Sequence, residues 1–358
     1  MIDVIAKRIG EFQIKHTKKM FIVFLVLTLL ILPGIIFLPG NVEPSLEKVM
    51  PSFIEELSVI NHMRTQFGSD ITYIILRANA PLFDVRSKAS LEYINTLQQA
   101  FNKRELLVSS ESISNYYSSD TFPPSAVQNS DLIGPNFDFT IIKVVTDTGS
   151  DAQKIKLLLD GLNTDIDNLE SVNPGFSFLI TGFNVIDRLI FNVIMSDFLV
   201  ITFVSMSLIA VIQFLFFRDF KKVALSMSVM FFAVIWTMGV VGYLGLTITV
   251  VSMVSIAMLM GLGIDFSVHF MHSFYDNLSA NSLSKSIVLT QKELFRAVLG
   301  AASTTIAGFL ALLFGVLPAM KVLAIILSIG IFFTLLGAIG FLPLLLIFSS
   351  SKVIKNVK

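Results

Sequence analysis

An acidic residue interrupts a long apolar segment in the second half of the chain. Asp265 lies in the sequence Gly261-Leu-Gly-Ile-Asp-Phe-Ser-Val-His269, near the end of a run that is otherwise apolar back to Thr249. An Asp at the centre of a bilayer costs about 2.5–3.5 kcal/mol on translocon scales, so it needs a partner, a proton or a function. On a helix, His269 lies one turn from Asp265 on the same face. The pair therefore predicts a group that gains and loses a proton while apolar helices surround it.

Hydroxyl-bearing and small residues extend this prediction to a second segment. Thr304 and Thr305 lie in a later apolar run, where their hydroxyls are predicted either to hydrogen-bond Asp265 or to bond carbonyls of their own helix. Three residues without a side chain are predicted to let helices pack closely around the acid: Gly261, Gly263 and Gly308. The alternative interpretation of Asp265 is a structural acid that a neighbouring hydroxyl or cation satisfies.

Two further acids precede these segments. Asp187 and Asp197 lie near the outer end of the second apolar run. They are predicted either to line a substrate entrance or to belong to a solvated helix end. His272 has two interpretations as well: an extension of the proton path from His269, or a solvated residue at the membrane edge.

The composition excludes several classes of protein. Of the 358 residues, 54% are hydrophobic and 15% are charged, which is typical of an integral membrane protein. The net charge of zero gives no indication of a nucleic-acid partner. The chain has no Cys and only four His, without a His-x-x-x-His arrangement, which argues against a metal site. Since a phosphate-binding Gly-rich loop is also missing, we expect neither an enzyme nor a cofactor.

Six apolar runs are long enough to cross a bilayer. They cover approximately residues 20–38, 189–217, 223–244, 249–272, 297–317 and 322–348. Lys and Arg concentrate in the segments on the side of the basic N-terminus, so both termini are predicted to be cytoplasmic in a multi-pass protein of the cell membrane. We expect residues 1–38 to be a basic N-terminus and an uncleaved first span. Residues 189–349 are predicted to hold the other spans with a cytoplasmic amphipathic helix at about 275–296, and residues 350–358 a basic tail.

Residues 39–188, between the first two spans, have the composition of a water-soluble domain. An amphipathic helix is predicted from Ser45 to Phe67. Strands and helices then alternate in the order β-α-β-β-α-β over residues 71–76, 86–104, 106–108, 137–145, 152–169 and 176–180. This order predicts an α+β ferredoxin-like domain. The distribution of positive charge places the domain outside the cytoplasm.

Taken together, these parts resemble a known family. One span, a large extracytoplasmic domain and five more spans resemble the half-unit of resistance-nodulation-division (RND) transporters. The segment Gly261–His269 resembles the fourth-span motif of the lipid-exporter branch, the MmpL and hopanoid-exporter type, which is close to Patched-like proteins. The segment Ala301–Phe309 resembles the fifth-span motif of the same branch, and the junctions Thr181-Gly182 and Phe217-Arg218-Asp219 are also similar. The resemblance implies a porter-type domain, proton-driven export of lipid or other hydrophobic substrates, and Asp265 as the proton acceptor.

The chain departs from that family at two points. Phe266 stands where relatives commonly have Tyr after the acid, and one half-unit stands where most relatives have two. A half-size transporter needs a second protomer, so the implied partners are a second copy of the chain, most simply in a homodimer, together with membrane lipids, a hydrophobic substrate and protons. The alternatives are a non-transporting lipid- or sterol-sensing protein of the same fold, or a SecDF-like accessory subunit of protein translocation.

Overall fold

The computed structural model describes residues 2–42, 49–51, 59, 62, 71–79, 84–116, 131–148, 152–170 and 175–356. Contacts divide the chain into two units. An α+β unit covers Pro44–Val193, and a helical unit covers Met1–Glu43 with Ile194–Lys358. Most of the predicted helix Ser45–Phe67 lies outside the described residues.

The helical unit begins with three helices that are close together in the chain. They are α1 (Ile2–Lys15), α2 (Thr17–Ile31) and α3 (Leu38–Asn41). A 3₁₀ segment, Leu32–Phe37, joins the last two. It begins where Pro33 removes a backbone donor from the helix and where Gly34 follows. The first span is therefore continuous but changes its helix type near one end.

The described residues of the α+β unit form four strands and two α-helices in the order β-α-β-β-α-β. They are β1 (Ile71–Ala78), α4 (Lys88–Phe101), β2 (Leu107–Glu111), β3 (Phe139–Thr146), α5 (Ala152–Glu170) and β4 (Phe176–Gly182). The strands form one sheet in the order β2-β3-β1-β4, and every neighbouring pair is antiparallel. Because buried and accessible residues alternate along β1 and β3, one sheet face packs against both helices.

An ion pair fixes the segment after α4 to α5. Arg104 donates hydrogen bonds of 3.0 and 2.6 Å to the two carboxylate oxygens of Asp165, and a third of 3.1 Å to the carbonyl of Gly161. The hydrogen bond to Asp165 raises the pKa of the Arg104 guanidinium. Because a bidentate pair fixes the orientation of both side chains, it holds the backbone at Arg104 against α5. The start of β2, three residues later, is therefore held in place as well.

Six further α-helices follow β4 in the described residues. They are α6 (Phe183–Phe217), α7 (Phe220–Tyr243), α8 (Val250–Ala280), α9 (Leu283–Leu310), α10 (Pro318–Leu336) and α11 (Leu342–Asn356). In the described part of the chain, six helical segments are long and apolar enough to cross a membrane, which confirms the predicted number. They cover Thr17–Asn41, Leu199–Phe217, Phe220–Tyr243, Val251–Ala280, Leu283–Phe314 and Pro318–Ser350.

The structure has no separate amphipathic helix at residues 275–296. The fourth span continues to Ala280, and α9 runs from Leu283 to Leu310 without a break. The physical reason is local: no Gly or Pro occurs between Leu283 and Leu299, so nothing ends the helix between its polar and apolar halves.

The fourth span, α8, is the central element of the helical unit. It contacts α7, α9 and α10. The contact with α10 is close because two glycines face bulky side chains: Gly263 lies against Thr334, and Gly330 lies against Leu259. Beyond α10, one turn of π-helix at Gly337–Phe341 leads into α11.

Candidate functional site

The acid that the sequence singles out lies halfway along a span. Asp265 is at the middle of the segment Val251–Ala280, and its side chain is exposed on the surface of the chain. The sequence predicted apolar helices around this acid, whereas in the single chain the other helices leave its side of α8 uncovered. Helical periodicity explains the difference, because Ile264 and Phe266 face the core while Asp265 shares an uncovered face with Gly261.

A groove of about 390 Å³ lies along this face, and Asp265 is one of its walls. Three helices form it: α8 with Leu262, Asp265, Phe266 and His269; α9 with Leu294, Ala297, Val298, Ala301 and Thr305; and α10 with Ile331. The polar side chains among these lining residues are Asp265, His269 and Thr305. The structure thus brings three of the predicted site residues together in otherwise apolar surroundings.

The threonine hydroxyls bond their own helix. Thr305 Oγ1 donates to the carbonyl of Ala301 at 2.8 Å, and Thr304 Oγ1 lies 2.9 Å from the same carbonyl and 3.1 Å from that of Gly300. In the described part of the chain, no side chain donates a hydrogen bond to the Asp265 carboxylate. Because the Thr305 proton is already used, its oxygen remains only as an acceptor. Such an oxygen pairs with a protonated carboxyl group and not with a carboxylate.

Three other predicted site residues are exposed, unlike Thr305 and Gly263: Thr304, Gly261 and Gly308. Thr304 is exposed and does not line the groove. A Cβ at Gly263 would collide with Thr334, whereas Cβ atoms at Gly261 and Gly308 would meet nothing within 4 Å. Close packing around the acid is thus found at one glycine, while the other two lie on an uncovered surface.

The remaining titratable groups of α8 cluster at its C-terminal end. His272 Nδ1 lies 2.8 Å from Asp276 Oδ2, and neither residue lines the groove. Glu293 accepts hydrogen bonds of 2.8 Å from Ser273 and 3.0 Å from Asn277. These hydrogen bonds join the C-terminal part of α8 to α9.

The two acids proposed for a substrate entrance are on α6. Asp197 is exposed, two residues before the apolar segment Leu199–Phe217, and it does not line the groove. Asp187 lies in the second turn of the same helix, and its side chain is outside the described residues. Their proposed role stays a prediction.

Sequence reasoning missed most of the apolar wall. Three apolar residues of this wall, Leu294, Ala297 and Ala301, recur with the predicted Thr305 at spacings of three and four along α9, and this periodicity was sufficient to find them. No local signal identifies Ile331, because its place in the groove depends on how α10 packs against α8.

Comparisons with known proteins agree with this architecture. The sequence profile of the MMPL family matches residues 147–358, which is more than half of the chain and includes α8 and α9. The chain is also 23% identical over 380 residues to the membrane protein MJ1562 of Methanocaldococcus jannaschii, an alignment that covers 100% of this chain and 97% of that protein. The profile match includes the segment around Asp265 and the segment around Thr305. The chain therefore belongs to the MMPL family of the resistance-nodulation-division superfamily.

Proposed function

We propose that this protein is a secondary transporter that uses the proton-motive force to export lipid or other hydrophobic molecules, and that it works as a homodimer of half-units. The observation that carries the proposal is the groove on α8 and α9, where one carboxyl group at mid-span has no cation and no hydrogen-bond donor from the described side chains. A charged Asp at the centre of a bilayer costs about 2.5–3.5 kcal/mol on translocon scales, and a proton removes that charge. Its protonation state therefore changes what α8 tolerates around it.

The residues of the groove suggest a route for the proton. Asp265 takes a proton from the outer side, and Thr305 accepts a hydrogen bond from the neutral acid. His269, one turn away, is the base that next receives the proton on its way to the cytoplasm. The change of charge at Asp265 shifts the packing of α8, and this shift is coupled to opening and closing of the α+β unit.

An uncovered polar face supports the dimer. Small and polar side chains on α8 and α9 are exposed in the single chain: Gly261, Asp265, His269, Gly300, Thr304 and Gly308. In a bilayer, polar groups at mid-span face a partner or a cavity far more often than acyl chains. The glycines allow the backbones of two copies to approach closely. A second copy of the chain thus supplies the cover that a single copy lacks.

The orientation and the class of the α+β unit are part of the proposal. The strand order β2-β3-β1-β4 with two helices on one face supports a ferredoxin-like, porter-type domain. The concentration of Lys and Arg around α1 and between α6 and α7 supports cytoplasmic termini and an α+β unit outside the cell membrane.

Proton-coupled transport is testable with Asp265→Asn in proteoliposomes. The variant keeps the shape of the side chain and removes the exchangeable proton, so we expect substrate movement driven by a pH gradient to be abolished while the protein stays folded. Asp276→Asn is the matched control, since Asp276 is an acid of the same helix outside the groove, and we expect it to keep transport.

Full activity of Asp265→Asn would falsify the proton mechanism. Binding of a lipid or sterol by the unaltered protein, without any response to a pH gradient, favours the lipid-sensing alternative. Co-purification with a protein-translocation channel favours the SecDF-like alternative.

A further inference from the structure

The first helix carries a stripe of bulky apolar residues that the protein leaves uncovered. Ile2, Ile5 and Phe12 are exposed, and Ile9 is half-buried. Their spacings of three, four and three residues place them along one side of a helix. Phe12 alone exposes 55% of its surface. Such a stripe on a helix next to a membrane span requires an apolar environment outside the chain.

A second side of α1 is held by the protein. Ala6, Gly10 and Gln13 are buried, again at spacings of four and three. A Cβ at Gly10 would lie 3.1 Å from the Cα of Val288, so the missing side chain is what allows α1 to approach α9 so closely. This contact fixes which side of α1 faces the protein.

Two buried amides attach α1 to the π-helical turn of the last span. Gln13 Nε2 and Gln291 Nε2 each donate a 2.7 Å hydrogen bond to the carbonyl of Ile339, and Gln291 Nε2 also lies 3.0 Å from Gln13 Oε1. Pro343 has no N–H to give to the carbonyl four residues earlier, which is that of Ile339. The two glutamines, both fully buried, therefore donate to a carbonyl that cannot receive the usual N–H from four residues later.

The third side of α1 is charged and continues into the start of the first span. Lys7 and Glu11 form a 3.7 Å ion pair on this side. Residues 2–19 contain five basic and two acidic side chains, which gives a net charge of +3 before the apolar span begins at Met20. A basic segment beside an apolar stripe is the pattern of a helix that lies in the headgroup region of an anionic membrane.

We propose that α1 is a membrane-surface helix that binds anionic lipid. Its apolar stripe lies among the acyl chains, its basic residues lie at the level of the lipid phosphates, and Gln13 and Gln291 hold it to the π-helical turn of the last span. The inference goes beyond the proposed transport function and is independent of it, because it rests on α1, α9 and α11 and not on Asp265.

The chain has no Cys, so single-cysteine variants of the full-length protein can be spin-labelled at one position each. In vesicles of phosphatidylcholine and phosphatidylglycerol, labels at Ile5→Cys and Phe12→Cys are expected to collide more often with oxygen than with a water-soluble nickel chelate. Glu11→Cys, on the charged side of the same helix, is the matched control and is expected to show the reverse ratio. In phosphatidylcholine alone, the labels at Ile5 and Phe12 are expected to shift toward nickel.

Greater collision with nickel at Phe12 in the anionic vesicles overturns the proposal. Line broadening at Ile5 and Phe12 that disappears on dilution with unlabelled protein also overturns it, because the stripe then binds a second copy. If the collision ratio is the same in both kinds of vesicle, the proposed role of anionic lipid is wrong.

The attachment is tested with Gln13→Ala and, as a second variant, Gln291→Leu. Each removes an amide donor to Ile339, so the label at Phe12 is expected to become more mobile and its oxygen-to-nickel ratio to fall. Gln99→Ala, at an exposed amide of the α+β unit, is the control. Unchanged spectra in both variants contradict the attachment.

Discussion

Two adjacent residues of α8 differ in their exposure to the surroundings of the chain. Phe266 is 9% exposed and packs into the core cluster of the helical unit, while Asp265 lies on the uncovered face. Successive residues of a helix point about 100° apart, so a shift of one position separates core from surface. Phe266 also lines the groove but has no hydroxyl. In the proposed mechanism, Thr305 and His269, which line the same groove, therefore share the proton of Asp265 in place of a hydroxyl at position 266.

Two glycines two residues apart give a matched pair for stability. We expect Gly263→Ala to destabilise the protein by about 1–3 kcal/mol, because its methyl group meets Thr334 of α10 in a packed interior. Gly261→Ala adds the same methyl group where nothing lies within 4 Å in a single chain, so the folded protomer is expected to tolerate it. Thermal unfolding of the detergent-solubilised protein measures both. Equal loss of stability in the two variants contradicts this account of the contact between α8 and α10.

At the scale of elements, the first span and α7 share a contact between backbones. A Cβ at Gly34 would collide with the carbonyl of Gly239, and a Cβ at Gly242 would collide with the carbonyl of Gly34. Two hydrogen bonds lie nearby: Tyr243 donates to the carbonyl of Leu30 at 2.8 Å, and Trp236 Nε1 donates to Thr28 at 2.9 Å. The glycines allow the helices to come within reach of these bonds.

Gly34→Ala is expected to push the first span away from α7. Backbone atoms cannot rotate away as a flexible side chain can, so this substitution is expected to lower the unfolding temperature. The tryptophan emission should also change, because Trp236 is the only Trp of the chain and bonds the first span. Gly40→Ala, where a Cβ meets nothing within 4 Å, is the control. Unchanged Trp emission in Gly34→Ala means that the helices do not meet as described.

The sequence predicted the spans and strands well wherever the indicating pattern lies within a single segment of the chain. Six apolar runs gave six spans, and the alternation of β1 and β3 gave two strands, because length and periodicity belong to each segment alone. The exposure of Asp265 and the wall contributed by Ile331 were not predictable in this way. Both depend on which sides of α8 the other helices cover. The contact of Gln13 with Gln291 joins residues 278 positions apart, which no local pattern indicates.

For the whole molecule, the proposed homodimer gives the uncovered face of α8 and α9 a partner. In a homodimer with two-fold symmetry, the same surface patch of each copy meets the other. Asp265 and His269 of the two copies then lie near one axis, where each acid has a histidine of the other chain within the same interface. In the proposed dimer, the half-unit thus becomes a complete site only when two copies meet.

This arrangement makes Gly261→Cys a direct test in the otherwise cysteine-free chain. Two copies of α8 that meet at this glycine bring their Cα atoms within about 7 Å, which is the limit for a disulfide. We therefore expect oxidation in native membranes to give a covalent dimer, and we expect Gly308→Leu in the same chain to reduce its yield by filling the open surface of α9. Leu208→Cys, exposed on α6, is the control that should stay monomeric. A thiol at position 261 that reacts with a lipid-soluble maleimide but never cross-links, or a yield that equals that of Leu208→Cys, excludes this face as the dimer contact.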